Sequence, residues 1–252
     1  MPPLVPFARR YLFTIGRCAR LLTLDVLRHS GRQRLKRVAR VFGYPRCGAQ
    51  LPVAGIGKLT PGAEAGRLLD LDPAPNQLTA FELIAVCRIT QVLRPRHIFE
   101  FGTHEGRTTL NLAANSPDDA KVYTLDLAPA GGRLPGGTIV GQRYLQTPYD
   151  GKIEQLHGNS LDFDFSSYAG RMDLVFVDAG HSIECVTNDS QAAAEMLRGD
   201  GGVIIWHDYR VIDGVTRCLE RLYGQGGLWR RLKQIEGTQL ACLGPDAIRV
   251  LA

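Results

Sequence analysis

Hydrophobic and polar positions divide the chain into three textures. In the first, Tyr11, Ile15, Cys18, Leu22 and Val26 recur at helical spacing, with Arg10, Arg17, Arg20 and Arg28 on roughly the opposite face. Phe13, Leu24 and Leu27 fall on the basic side, so the segregation is imperfect. After Ser30-Gly31 a second basic stretch, GRQRLKRVARVFG, extends the pattern, and residues 1–42 read as a basic, amphipathic helical arm. Residues 43–77 hold six Gly and five Pro in 35 positions, the composition of a connector. From Leu78 the texture changes again. Leu78, Phe81, Ala85, Ile89 and Val92 predict a helix with one buried face, ending before Pro95.

Beyond that helix, short apolar runs alternate with helical segments. HIFEFG (97–102), KVYTLDL (121–127), KIEQLHG (152–158), MDLVFVDAG (172–180) and GGVIIWHDY (201–209) read as strands. Helices are expected over about 106–114, 183–197 and 214–222. Two late runs, LKQIEG and QLACLG, close the chain as strands joined by a short connection, which favours an antiparallel edge strand. The alternation predicts an α/β domain over residues 78–252, with a doubly wound, mostly parallel seven-stranded sheet.

Charge sharpens this division. The 252 residues carry 30 Lys+Arg and 25 Asp+Glu, a net charge of +5. Residues 1–50 hold 11 of the basic residues against Asp25 alone, which is +10. Residues 51–252 hold 19 basic and 24 acidic residues, which is −5. The basicity belongs to the arm. Three uses of it stay open: peripheral contact with an anionic membrane, phosphate contact with a nucleic acid (the least favoured), or packing against its own domain or a second subunit. A hydrophobic fraction of 44% excludes a disordered chain. Arg9, Arg10, Arg17 and Arg20 interrupt every candidate secretory core, and the six scattered cysteines form no C-x-x-C pair. A cytoplasmic location, with a membrane-peripheral position open to the arm, is the expectation.

In a doubly wound sheet, ligands sit beyond the carboxyl ends of the strands. Those positions hold Glu100, Gly102 and Thr103; Asp126; Asn159 and Ser160; Asp178 and His181; His207 and Asp208. FEFGTHEGRTT places Gly102 and Gly106 between a strand and a helix, in a turn that is neither G-x-G-x-x-G nor a phosphate loop. Asp126 ends the next strand 20 residues after Gly106, where a carboxylate can hold ribose hydroxyls.

Together these residues resemble the class I S-adenosylmethionine-dependent methyltransferases, over about residues 78–243. That resemblance implies a Rossmann-like fold and S-adenosylmethionine as cofactor. It implies that Glu100, Gly102 and Gly106 line the methionine part, with Thr103 and Thr108 beside them, and that Asp126 binds the ribose. Asn159 and Ser160 would lie toward the adenine, and Asp178 near the sulfonium. FVDAGHS and WHDY look like the metal-assisted O-methyltransferases, including catechol- and macrolide-sugar-methylating branches. The implied roles are a divalent cation held by Asp178, His207 and Asp208, and His181 as the base. His207 departs from the second carboxylate or amide of many relatives, and an imidazole suits a transition metal better than Mg²⁺. Amino-methylating relatives carry N/D-P-P-Y/F where this chain has DAGH, which argues against nucleobase methylation. The expected acceptor is a hydroxyl of a sugar, glycolipid or secondary metabolite. The competing readings are an oxidative enzyme of the cephalosporin-hydroxylase type and a non-catalytic, membrane-associated binding protein. Residues 127–150 are expected to form either a lid-like loop, with Tyr144 and Tyr149 as candidate substrate contacts, or a loose surface excursion.

Overall fold

The structure, a computed structural model, describes residues 4–24, 27–28, 50–62, 66–71, 77–134, 137–199, 201–245 and 248. The chain forms two compact units, Met1–Arg46 and Cys47–Ala252. In the first, helix α1 spans Leu4–Thr23. All described side chains of this unit, Phe13, Ile15 and Leu22 included, are exposed. The guanidinium of Arg17 lies 4.9 Å from the ring centroid of Phe13, one turn away, which accounts for an aromatic residue on the basic side. Among the described residues no helix is long and apolar enough to cross a membrane. The second basic stretch of the arm lies outside the described residues.

The second unit is built on an eight-stranded sheet. Its strands are β1 (Val53–Ala54), β2 (His97–Phe101), β3 (Lys121–Asp126), β4 (Ile153–His157), β5 (Leu174–Val177), β6 (Val203–Trp206), β7 (Leu232–Ile235) and β8 (Ala241–Leu243). They lie in the order β1-β7-β8-β6-β5-β2-β3-β4. Every pairing is parallel except those that β8 makes with β6 and β7. Two expectations change here. The reversed strand β8 lies inside the sheet, because the β7–β8 hairpin inserts β8 against β6. That leaves the outer edge of β7 free, and Val53–Ala54 fills it, giving an eighth strand from within the 43–77 segment.

Helices α2 (Ile56–Leu59), α3 (Ala80–Leu93), α4 (Arg107–Asn115), α5 (Ile183–Met196) and α6 (Asp213–Gln225) complete this unit. Strand residues alternate between two cores, one on each face of the sheet. Ile98, Leu174, Phe176, Val203 and Ile205 pack with the α3 side chains. Phe99, Phe101, Val175, Val177, Ile204 and Trp206 pack with α5 and α6. Helix α3 begins with a capping box, in which Thr79 and Glu82 satisfy each other's backbone amides, and it stops at Arg94 in the left-handed region before Pro95. The consequence for function is simple. All parallel strands of this sheet deliver their carboxyl ends to one edge.

Candidate active site

Two groups of side chains meet at that edge, and the first surrounds the glycine turn. Glu100 is fully buried, replacing an apolar residue on the face that packs against α4. Its Oε2 accepts hydrogen bonds from Thr109 and, at 2.6 Å, from Thr124. A polar chain continues outward: Thr103 Oγ1 lies 2.7 Å from Thr124 Oγ1, Gln155 Nε2 donates to Thr103 at 2.9 Å, and Tyr144 donates to Gln155 at 2.7 Å. Asp126 Oδ2 accepts from the amides of Thr103 and His104 at 3.0 and 2.7 Å, and Oδ1 from Leu127 N at 2.7 Å. Asp126 therefore holds the turn in shape.

The glycines of the turn are required by close approach. A Cβ on Gly102 (φ 90°) would lie 2.3 Å from the Asp178 carbonyl oxygen, and one on Gly106 (φ 83°) 2.6 Å from the Tyr144 ring. Tyr144 is almost fully buried, and the amides of Gly141 and Arg143 donate to the carbonyls of His104 and Glu105. Arg143 also pairs with Glu105 and Asp70 at 2.7 and 2.5 Å. The segment expected to be a free lid is instead pinned to the glycine turn from Gly141 on, and Tyr144 is a packing residue. Tyr149 receives a hydrogen bond from Arg67.

The second group sits at the ends of β5 and β6. Adjacent parallel strands bring Asp178 and His207 side by side, and His207 Nδ1 lies 3.3 Å from Asp178 Oδ1. His181 Nε2 lies 3.0 Å from Asp208 Oδ2 and 3.8 Å from Asp178 Oδ1. Asp208 holds a positive φ of 62°, the kind of backbone strain that clusters at functional sites. One potential ligand atom from each of Asp178, His207 and Asp208 lies within 4.8 Å of the other two. A small cleft is lined by Val177–His181, Trp206, His207 and Val215.

Other expected residues are placed differently. Asn159 is exposed and caps its own turn through Leu161 N, and Ser160 is tied to α5 through Asn188. Thr108 is half-buried on the first turn of α4, while its neighbour Thr109 is the one that reaches Glu100. Thr109, Thr124, Gln155 and Glu82 were not among the residues singled out from the sequence. Adjacent threonines cannot be told apart until the helix phase is known. Glu82 is visible in T-x-x-E only as a helix cap.

Residues 99–209 match the profile of a family described as a methyltransferase domain. The match opens one residue before Glu100 and closes one residue after Asp208, so it encloses the whole strand-end set. The chain carries a methyltransferase domain. No curated protein matches the sequence. Among solved structures, the cofactor-bound Rv0187 from MTB is similar at 21% identity and TM-score 0.52, over 68% of this chain and 83% of that one. The O-methyltransferase from Bacillus cereus in complex with SAH is similar at 18% identity and TM-score 0.51, over 71% and 84%. The O-methyltransferase NovP is similar at 13% identity and TM-score 0.52, over 69% and 81%. At these identities the likeness is one of fold, and the fold is the Rossmann-like methyltransferase fold.

Electrostatics separate the carboxyls of the methyltransferase domain. Burial pushes the Glu100 carboxyl up to about 8 against the opposing hydrogen bonds of Thr109 and Thr124, and the charges of Asp178 and Asp126 push the same way. Glu100 is therefore mostly neutral at pH 7. Its Oε1 has no hydrogen-bond partner in the protein. The sign of the linkage follows. A carboxyl raised in the fold contributes stability fully below its unfolded value near 4.5, and that contribution is lost as pH rises toward about 8. Wild type is expected to lose thermal stability between pH 5 and 8, by on the order of a few kcal/mol, whereas Glu100→Gln should show a flatter profile. Thermal melts at the two pH values test this, and parallel profiles for the two proteins would refute it.

Proposed function

We propose that this chain is an S-adenosylmethionine-dependent O-methyltransferase acting on a hydroxyl of a sugar, glycolipid or other secondary metabolite. The observation that carries the reading is the convergence of Asp178, His181, His207 and Asp208 immediately beside the glycine turn. Asp126 suits the cofactor's ribose, because it stands at a strand end and is only partly exposed. The donor set of two carboxylates and one imidazole suits a divalent cation. When bound, S-adenosylmethionine supplies an activated methyl group, and a cation supplies charge that favours the ionised form of a hydroxyl.

The protein's own part is proton management and positioning. His181 donates from Nε2 to Asp208, which leaves Nδ1 as the acceptor nitrogen of the ring. The hydrogen bond to Asp208 raises the affinity of the ring for a proton, against the opposing effect of burial. With its side chain 45% exposed, His181 is within reach of an acceptor, and it takes the hydroxyl proton as the oxygen becomes nucleophilic. The DAGH sequence at this position favours an oxygen acceptor over a nucleobase nitrogen.

The test is methyl transfer from labelled S-adenosylmethionine to a panel of nucleotide sugars, glycolipids and catechols. Labelled ether product should form in step with S-adenosylhomocysteine. A product that gains oxygen and no label would favour the oxidative reading. A protein that fails to bind S-adenosylmethionine in calorimetry would be a binding protein on the same scaffold.

A further inference from the structure

Glu82 lies in α3, about a hundred residues before the chemistry, yet its carboxylate reaches His207. The two side chains are 2% and 4% exposed, and Glu82 Oε2 stands 3.7 Å from His207 Nε2. That nitrogen is buried and has no hydrogen-bond partner in the protein. The opposite ring nitrogen, Nδ1, faces Asp178 Oδ1 at 3.3 Å and Asp208 Oδ1 at 3.8 Å. His207 is thus a bridge, with one edge toward a buried carboxylate and the other toward the candidate cation ligands. Its backbone is held, because its amide continues the ladder by donating to Val177 O, and its ring is buried.

A capping role alone does not explain Glu82. Glutamates at this helix position normally reach back to the cap amide from a solvated first turn. Here the carboxylate accepts from Thr79 N at 2.8 Å and from Gln239 N at 2.7 Å. Burial works against its charge, and the two amides offset that cost. A buried charge needs such partners.

We propose that Glu82 is the outer carboxylate of a carboxylate–imidazole–cation arrangement, which orients His207 so that Nδ1 joins Asp178 and Asp208 as a cation ligand. The inference rests on the reading that these three residues hold a cation, and it adds what kind. An outer carboxylate fixes which ring nitrogen keeps its hydrogen and strengthens the other as a ligand. An imidazole in the set favours a first-row transition ion such as Mn²⁺, Co²⁺ or Zn²⁺ over Mg²⁺, which prefers oxygen and water. Glu82 is a positioning residue, acting through His207 alone.

The experiment is calorimetric titration of Mn²⁺ and of Mg²⁺ into the full chain, without methyl donor or acceptor. Wild type should bind Mn²⁺ at least about tenfold more tightly than Mg²⁺. Glu82→Gln should weaken Mn²⁺ binding by about 10–100-fold. Thr79→Ala, which removes the other half of the capping box, should lower the melting temperature and leave Mn²⁺ affinity unchanged. Spin-echo spectroscopy of wild-type protein loaded with Mn²⁺ should show coupling to an imidazole nitrogen, a readout that needs no variant to fold. Glu82→Gln with wild-type Mn²⁺ affinity, or Thr79→Ala weakening Mn²⁺ equally, overturns the role of Glu82 while leaving the cation site standing. Wild type that binds neither ion overturns the cation reading itself, and this inference with it.

Discussion

Replacing His181 by alanine is expected to slow methyl transfer by about 10²–10⁴-fold. Binding of S-adenosylmethionine should survive, because the polar partners of His181 are Asp178 and Asp208 rather than the glycine turn or Asp126. The size of the effect follows from what is lost. A neutral hydroxyl is a poor nucleophile near neutral pH, and His181 is the half-exposed imidazole of the cluster, whereas His207 is buried with carboxylates on both edges. Measuring kcat alongside calorimetric cofactor affinity separates the base from a binding residue. A variant that retains most of its turnover would show that a cation alone ionises the acceptor, and His181 would then serve only to orient Asp208. Asp208→Asn is the less informative substitution, since the same carboxylate is a proposed cation ligand.

Why was His181 legible and Glu82 not? The strand ends could be located because β2, β3, β5 and β6 are apolar runs bounded by polar residues, and a doubly wound sheet sends every such boundary to one edge. Asp178, His181, His207 and Asp208 were accordingly placed together by order along the chain alone. Contacts that depend on how helices pack over the sheet carry no such signal. Glu82 reaches His207 because α3 starts beside the β6 end, and T-x-x-E reads the same on any helix. β1 is two residues long, too short for alternation to register, and its place depends on β7 having a free edge. The segment 127–150 looked like a loose excursion because it holds five Gly and three Pro in 24 positions. Arg143 and Tyr144 anchor it through Glu105, Asp70 and Gln155, partners far away in sequence. Composition describes a segment's conformational freedom before folding; long-range partners decide whether it keeps any.

Gly102→Ala should cost several kcal/mol, a large part of the roughly 5–15 kcal/mol that holds a domain folded. Two effects add. An L side chain at φ 90° is strained by about 1–2 kcal/mol or more. The added Cβ would also stand 2.3 Å from the Asp178 carbonyl oxygen and 2.8 Å from its carbon. Neither atom can yield cheaply. Asp178 N donates to Phe101 O at 2.9 Å and Gly102 N to Leu125 O at 2.9 Å, so the clash falls between central strands already joined on both sides. The end of β5 must move away from β2, and it carries Asp178 with it. Gly170 supplies the control, since it also has a positive φ (67°) but nothing within 4 Å of an added Cβ. Gly170→Ala isolates the cost of conformation. The melting temperature of Gly102→Ala is expected to fall by about 10 °C or more below that of Gly170→Ala. What remains folded should bind both cofactor and cation more weakly. Equal melting temperatures for the two variants would mean that the β2 and β5 ends part without cost. The close approach that joins the glycine turn to Asp178 would then not be what holds the two halves of the site together.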